Sequence, residues 1–403
     1  MVLHLLRWIG LGAVVGVIAG VSSAAFLAAL SWVTDVRIDH GWLLYLLPVG
    51  GLVVGLLYHH LGGRSAGGNS LIIEEIHDPT DWVPRRMAPL ILLGTLLTHL
   101  FGGSAGREGT AIQMSGSLTD LFSRLVRLGP EDRRLMLIAA IAGGFGAVFG
   151  VPLAGCVFAL EVQAVGRLRY DALVPALSAS LVGDLVVRGL GVEHGLLPEL
   201  VDPHLTAALA GKVALAGVAF ALVGVAFVET THGVQRLFHH ISWPPARPMI
   251  GGLVVIALTA IVGNRDYLGL SLPLIAKATA GGAGVVAGAF ALKLLFTAVT
   301  LGSGFVGGEV TPLFVIGATL GASLGRLLDV PVPLMAAIGF VAVFAGAANT
   351  PLACTIMGVE LFGGAGVVLF AIACVISYVF SPHRGIYVSQ PVDSPKGPPV
   401  RPG

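Results

Sequence analysis

The sequence predicts an all-α polytopic membrane protein built from two inverted-topology repeats with discontinuous helices. Three observations carry that expectation. The chain of 403 residues is 55% apolar and only 11% charged, against roughly 25% charged in an average soluble domain; it has too few charges to cover its own surface in water. Uncharged runs extend from Trp8 to Thr34, Leu135 to Leu160, Val330 to Val359 and Leu361 to Pro382, and about 20 apolar residues cross the hydrocarbon core. The two halves also repeat one pattern. At an offset of 201 residues Gly106, Glu108, Thr110 and Gly116 fall on Gly307, Glu309, Thr311 and Gly317. At an offset of 199, Pro152, Leu153, Ala154 and Glu161 fall on Pro351, Leu352, Ala353 and Glu360.

Taken in order, the chain opens with only His4 and Arg7 before its first apolar run. It lacks the short apolar region and cleavage site of a signal peptide, so a retained first helix is expected. Many later runs are broken by Gly or Pro, which suggests helices that start and stop inside the bundle, where freed backbone groups find protein partners rather than lipid. No alternating pattern of the kind a membrane β-barrel needs is present. The transmembrane domain is expected to span residues 1–380, with halves at about 1–200 and 205–380 joined by HGLLPELVDPH, residues 194–204. Residues 381–403 form a polar C-terminal segment whose last stretch, VDSPKGPPVRPG from Val392, reads as a disordered tail. Arg85–Arg86, Arg124–Arg127, Arg133–Arg134 and Arg167–Arg169 mark candidate cytoplasmic loops of a multi-pass protein of the cell membrane.

Several classes are disfavoured. A net charge of +1 from scattered residues gives no basis for binding nucleic acid. Cys156, Cys354 and Cys374 lie in apolar helical context without metal-ligand spacing, and their odd number argues against a disulfide framework. No metal cluster, nucleophile with its base, or phosphate loop stands out. Neither an enzyme nor a cofactor is expected.

Duplicated, Gly-interrupted apolar helices in a membrane protein place a substrate site at the repeat interface. The strongest candidate there is Glu108. Glycines 102, 103, 106 and 109 let the backbone approach closely, and the helix that follows begins with unpaired N–H groups, which attract an anion. An ionised Glu108 can occupy that anion's place and must leave, or become neutral, when the anion arrives. Glu309 repeats the geometry in the second half. The bland alternatives are that Glu108 caps its helix or pairs with Arg107, and that Glu309 pairs with Lys293 or Arg107. His99 is either a proton relay or a packed, hydrogen-bonded histidine.

The motifs GREG at 106–109, VPLAGCVFALEV at 151–162, LGSGFVGGEVTPLFVIGA at 301–318, NTPLACTIMGVE at 349–360 and GIY at 385–387 together resemble the CLC family of chloride channels and anion/proton antiporters. The resemblance covers nearly the whole membrane domain. It implies a homodimer in which each subunit holds its own anion pathway, lined by helix N-termini from both inverted halves. By resemblance the anion would meet Gly68, Asn69, Ser70, Arg107, Gly109, Val310 and Thr311, with the hydroxyl of Tyr387 approaching it. An interfacial anchor is the alternative role for Tyr387.

The chain departs from chloride-type relatives in three places. Those carry G-S-G-I-P where this chain has Gly67, Gly68, Asn69, Ser70, Leu71 and Ile72; the serine position becomes Asn69, or Ser70 if the alignment slips by one. They carry G-I-F-x-P where this chain has Gly308, Glu309, Val310, Thr311 and Pro312. Thr110 stands where many relatives have proline. The combination GNS, GREGT and GEVTP resembles the fluoride-selective branch, the CLC-F fluoride/proton antiporters. Fluoride is small and strongly hydrated, and its dehydration needs close donors such as the Asn69 amide and the Thr311 hydroxyl. The expected function is therefore export of fluoride in exchange for protons across the bilayer, with Glu108 as proton-coupled gate and Glu309 as a second linked acid. A passive fluoride or chloride channel, and a chloride/proton antiporter, are the alternatives. The symmetry of Glu161 with Glu360 favours a structural role for Glu161 over that of an inner proton acid.

Overall fold

The computed structural model describes residues 2–195, 197–201 and 203–396. The described residues form 16 α-helices, two sets of eight. The first set is α1 (Val2–Asp39), α2 (Leu47–Leu61), α3 (Gly68–His77), α4 (Met87–Leu100), α5 (Glu108–Leu125), α6 (Pro130–Phe149), α7 (Pro152–Glu161) and α8 (Leu173–Gly189). The second is α9 (Ala207–His239), α10 (Ala246–Val262), α11 (Leu272–Thr279), α12 (Ala289–Gly302), α13 (Val310–Leu328), α14 (Val332–Ala348), α15 (Pro351–Phe362) and α16 (Val367–Phe380). The connector expected at 194–204 falls between α8 and α9; its Leu196 and Asp202 lie outside the described residues.

Two of the long uncharged runs are each a pair of helices, and matching residues make both breaks. Gly150 takes a left-handed conformation (φ 72°) that ends α6, and Pro152 opens α7. Asn349 (φ 61°) ends α14 in the same way and Pro351 opens α15. A left-handed residue just past one helix and a proline at the start of the next form a compact stop and restart. The short helices that result cannot span a bilayer and must find partners for their ends inside the protein. They find each other. Glu161 at the end of α7 accepts from Leu352 N (3.1 Å) and Ala353 N (2.8 Å) at the start of α15. Glu360 on α15 accepts from Leu153 N (2.9 Å) and Ala154 N (2.8 Å) at the start of α7. Each half thus caps the other, the structural role that the repeat symmetry suggested.

Five helical stretches among the described residues are long and apolar enough to cross a membrane: 2–39, 41–61, 170–189, 207–239 and 310–328. Small residues let them pack backbone to backbone. Gly12, Gly16 and Gly20, one turn apart on α1, face Pro175, Ala179, Val182 and Val186 of α8, and Gly317 of α13 meets Gly339 of α14. Close approach of this kind replaces the hydrophobic drive that lipid cannot supply.

Two polar devices position the site. On α3, buried Glu75 receives Arg64, and Arg133 of α6 reaches both Glu75 (3.3 Å) and Asp120 of α5 (2.6 Å). The network ties α3 to the bundle at the arginine-rich end. The segment after α16 folds back beneath the bundle: Ile386 N donates to Ala347 O (2.9 Å), Gln390 Nε2 to Val162 O (3.0 Å) and Val165 N to Pro391 O (2.8 Å). Disorder was expected from Val392, yet Asp393 N donates to Val165 O (3.1 Å) and Lys396 Nζ to Ser381 Oγ (2.9 Å). Val162 and Val165 lie in the bend after α7 and Ala347 in the last turn of α14, so backbone groups left free by the helix breaks recruit this segment. Residues 397–403 of the expected tail lie outside the described residues.

Candidate functional site

The two glycine-rich loops meet at the centre of the bundle. Gly106 N donates to Gly308 O (2.7 Å) and Gly308 N to Gly106 O (2.9 Å), an antiparallel pair linking the two repeats one residue away from their equivalent glycines. From this crossing α5 and α13 depart, each leading with unsatisfied N–H groups. Glu108 is the first residue of α5 and only 1% exposed. Its carboxylate crosses to the start of α13, where it accepts from Val310 N (2.6 Å), Thr311 N (3.2 Å) and Thr311 Oγ1 (2.9 Å). On its own side it accepts from Arg107 N (3.0 Å). The carboxylate therefore fills a position built for an anion, with charge-assisted bonds and two helix N-termini around it. A side chain at Gly308 would overlap it.

Cavities reach this point from two directions. One of about 570 Å³ is lined by Gly68, Asn69, Glu108, Gln113, Glu309, Val310 and Tyr387. A smaller one of about 190 Å³ is lined by Arg107, His194 and Thr311, and adjoins one of about 630 Å³ that shares Arg107 and His194 and adds Asp35 and Glu193. Glu108 faces the cavity of about 570 Å³ and Thr311 the one of about 190 Å³, the larger and the smaller of the two that meet here. The hydrogen bond between their side chains is the partition.

The structure brings most of the expected residues to this partition. Asn69, at the start of α3, lines the larger cavity; its Oδ1 is buried without a hydrogen-bond partner, and the amide lies against Gly109. Ser70 does not line that cavity, because successive positions on a helix point in diverging directions. Of the two candidates for the serine position, Asn69 is the one that faces it. Arg107 is also placed differently from expectation: its guanidinium stacks over Phe149 (5.6 Å) on the smaller-cavity side, and only its backbone N–H touches Glu108. Tyr387 is 5% exposed, edge-on to Phe158 (6.1 Å) and on the larger cavity, so it is no interfacial anchor.

Glu309 is the N-cap residue of α13, and its carboxyl makes no capping bond and faces the larger cavity. It does not pair with Lys293. That buried ammonium is held by Ser104 Oγ (2.9 Å), Ser271 Oγ (2.9 Å) and the carbonyls of Gly269 (2.7 Å) and Tyr267 (3.3 Å). His99 is packed as the blander expectation had it, its ring nitrogens against Thr95 O (2.9 Å) and Ala105 O (3.1 Å). Sequence reading missed Gln113, whose side-chain amide lies beside Gly68. A lone amide in the run after GREG was the available signal. Ser65, Tyr58 and Arg247, which also line the larger cavity, carry no local motif and enter only through folding.

Broken helices in two inverted halves, with crossed N-termini around one anion-like position between two cavities, define an ion-transport protein of the membrane. A family profile described as "Voltage gated chloride channel" matches residues 50–382. The chain belongs to that family, the CLC channels and transporters, which is not a family of enzymes. It is 47% identical to a protein from Pseudomonas syringae pv. tomato named "Chloride/fluoride channel protein", over 98% of this chain and 88% of that one. The crystal structure of a CLC-type fluoride/proton antiporter superposes with a TM-score of 0.93 at 33% identity, covering 98% of this chain and 100% of that one. Similarity to an H(+)/Cl(-) exchange transporter of Yersinia pestis is 27% identity, over 87% of this chain and 79% of the relative.

Proposed function

We propose that this chain is a secondary active transporter of the cell membrane, a homodimer that exports fluoride in exchange for protons. The observation that carries the reading is the Glu108 carboxylate, seated on the N–H groups of Val310 and Thr311 between the two cavities. An ionised carboxylate and a dehydrated anion want the same donors. Fluoride arriving from the larger cavity competes with Glu108 for the start of α13; protonation removes the carboxylate's claim and opens the way. One group then moves a proton against an anion. An acid held at membrane depth is costly and by default functional.

Selectivity follows from the donors. Fluoride gives up a large hydration energy, and Val310 N–H, the two donors of Thr311 and the Asn69 amide are within the same small region to replace it. Glu309 opens onto the cavity that Glu108 also faces, which supports it as the second acid on the proton route. Glu161 is committed to helix capping and is left off that route. The names of the two relatives with the higher identity, the Pseudomonas protein and the fluoride/proton antiporter, both include fluoride, whereas the Yersinia name gives chloride; the Pseudomonas name favours a second reading, a passive channel.

One liposome experiment separates these. Under an outward fluoride gradient the protein should drive proton uptake and move fluoride far faster than chloride, and Glu108→Gln, which keeps the shape but cannot titrate, should abolish proton uptake. Fluoride flux without proton movement in the unaltered protein would favour the channel. Undiminished proton uptake in the Gln variant would remove Glu108 from the gate.

A further inference from the structure

A fourth cavity, of about 410 Å³, opens where the last turn of α1, the turn Gly41–Leu46 and the loop into α11 come together. Its walls are largely aliphatic, including Leu44, Leu268, Leu270 and Leu274. Into this apolar setting come two guanidiniums, Arg37 and Arg265, with Asp266 as the one acid on the lining. Neither arginine forms an ion pair among the described residues. Arg37 lies against Gly269, and its Nε is buried without a hydrogen-bond partner. Behind the same loop sits the Lys293 ammonium, bound to Gly269 O (2.7 Å) and Ser271 Oγ (2.9 Å). Two guanidiniums thus share a cavity whose lining offers them one carboxylate. Leaving the buried Nε of Arg37 without an acceptor is unfavourable.

The surroundings say what kind of anion. The turn that forms one wall also presents Trp42 (58% exposed) and Tyr45 (66% exposed) outward, and exposed Trp and Tyr on a membrane protein mark headgroup depth. A free inorganic oxyanion would satisfy the guanidiniums but leave Ile38 and Leu272, exposed apolar residues of the same lining, in water. A lipid satisfies both. We propose that this cavity binds the phosphate of an anionic phospholipid, with Arg37 and Arg265 on the phosphate oxygens and the first part of an acyl chain along the leucines. The site is coupled to the anion pathway through backbone: Gly269 N donates to Gly103 O (3.2 Å) in the loop that leads to Glu108. A bound phosphate on Arg37 braces that loop.

The test uses the intact protein in nanodiscs of phosphatidylcholine alone or mixed with phosphatidylglycerol, reading thermal midpoint and the lipid retained in native mass spectrometry. Phosphatidylglycerol should raise the midpoint and be retained. Each arginine near anionic lipid contributes about 1 kcal/mol, so Arg265→Gln should weaken the apparent affinity for phosphatidylglycerol about fivefold. Arg37→Gln should do the same; if it misfolds, Arg265→Gln decides, because that side chain is exposed and has no folding partner to lose. Arg236→Gln, an exposed arginine at the end of α9, should behave as the unaltered protein. Equal phosphatidylglycerol binding by the unaltered protein and Arg265→Gln would overturn the site. Inorganic phosphate in detergent should raise the midpoint little; protection equal to that given by phosphatidylglycerol would overturn the lipid assignment.

Discussion

Replacing Glu161 distinguishes a helix cap from a proton carrier. Its two oxygens accept from Leu352 N (3.1 Å) and Ala353 N (2.8 Å), and the residue is 7% exposed. Glu161→Gln leaves one acceptor oxygen and turns an NH₂ toward the other N–H, so one bond to a charged acceptor is lost. Such bonds contribute about 1.5–3 kcal/mol, and relief of a buried charge offsets part of that. A net loss of about 1–2 kcal/mol follows from the same range. Glu161→Ala leaves both N–H groups without a protein partner at about 1–3 kcal/mol each, and its thermal midpoint should fall further. Fluoride-driven proton uptake per folded protein should be unchanged in the Gln variant. Normal stability combined with lost proton uptake would refute the capping role and place Glu161 on the proton route.

Other outcomes follow from the partition. Thr311→Val removes the 2.9 Å bond to Glu108, about 1.5–3 kcal/mol of the closed state, and also a donor for the anion; fluoride exchange should slow and its margin over chloride narrow, as measured by paired ion-electrode fluxes. Gly308→Ala puts a methyl where the Glu108 carboxylate sits; the carboxylate is displaced, and anion flux should lose most of its pH dependence. Glu309→Gln should leave melting unchanged, since no capping bond or ion pair is lost among the described residues, while slowing or uncoupling exchange. Normal coupled transport in that variant would dismiss Glu309 as a working acid.

The sequence by itself determined the class of this protein. Its scarcity of charge required a membrane, and a duplication visible residue by residue, Glu108 on Glu309 and Glu161 on Glu360, required two halves meeting at a shared site. Those signals are local: composition, glycine spacing and the left-handed stop followed by proline at Gly150–Pro152 and Asn349–Pro351 are all written within a few residues. Partnership was decided only by the fold. Glu108 and its donor Val310 are separated by 202 positions, and no local pattern says that a carboxylate will cross to the other repeat instead of capping its own helix or pairing with Arg107. Lys293 looked like a counter-charge for Glu309 and is instead enclosed by hydroxyls and carbonyls, because a buried ammonium takes whichever acceptors the packing brings within reach. Asn69 against Ser70 was likewise undecidable in the chain; the difference of one residue on α3 became meaningful only when the helix was oriented by Arg64 and Arg133 gripping Glu75. Sequence specifies where helices break. Which orphaned N–H group meets which carboxylate depends on how the broken ends are brought together in space.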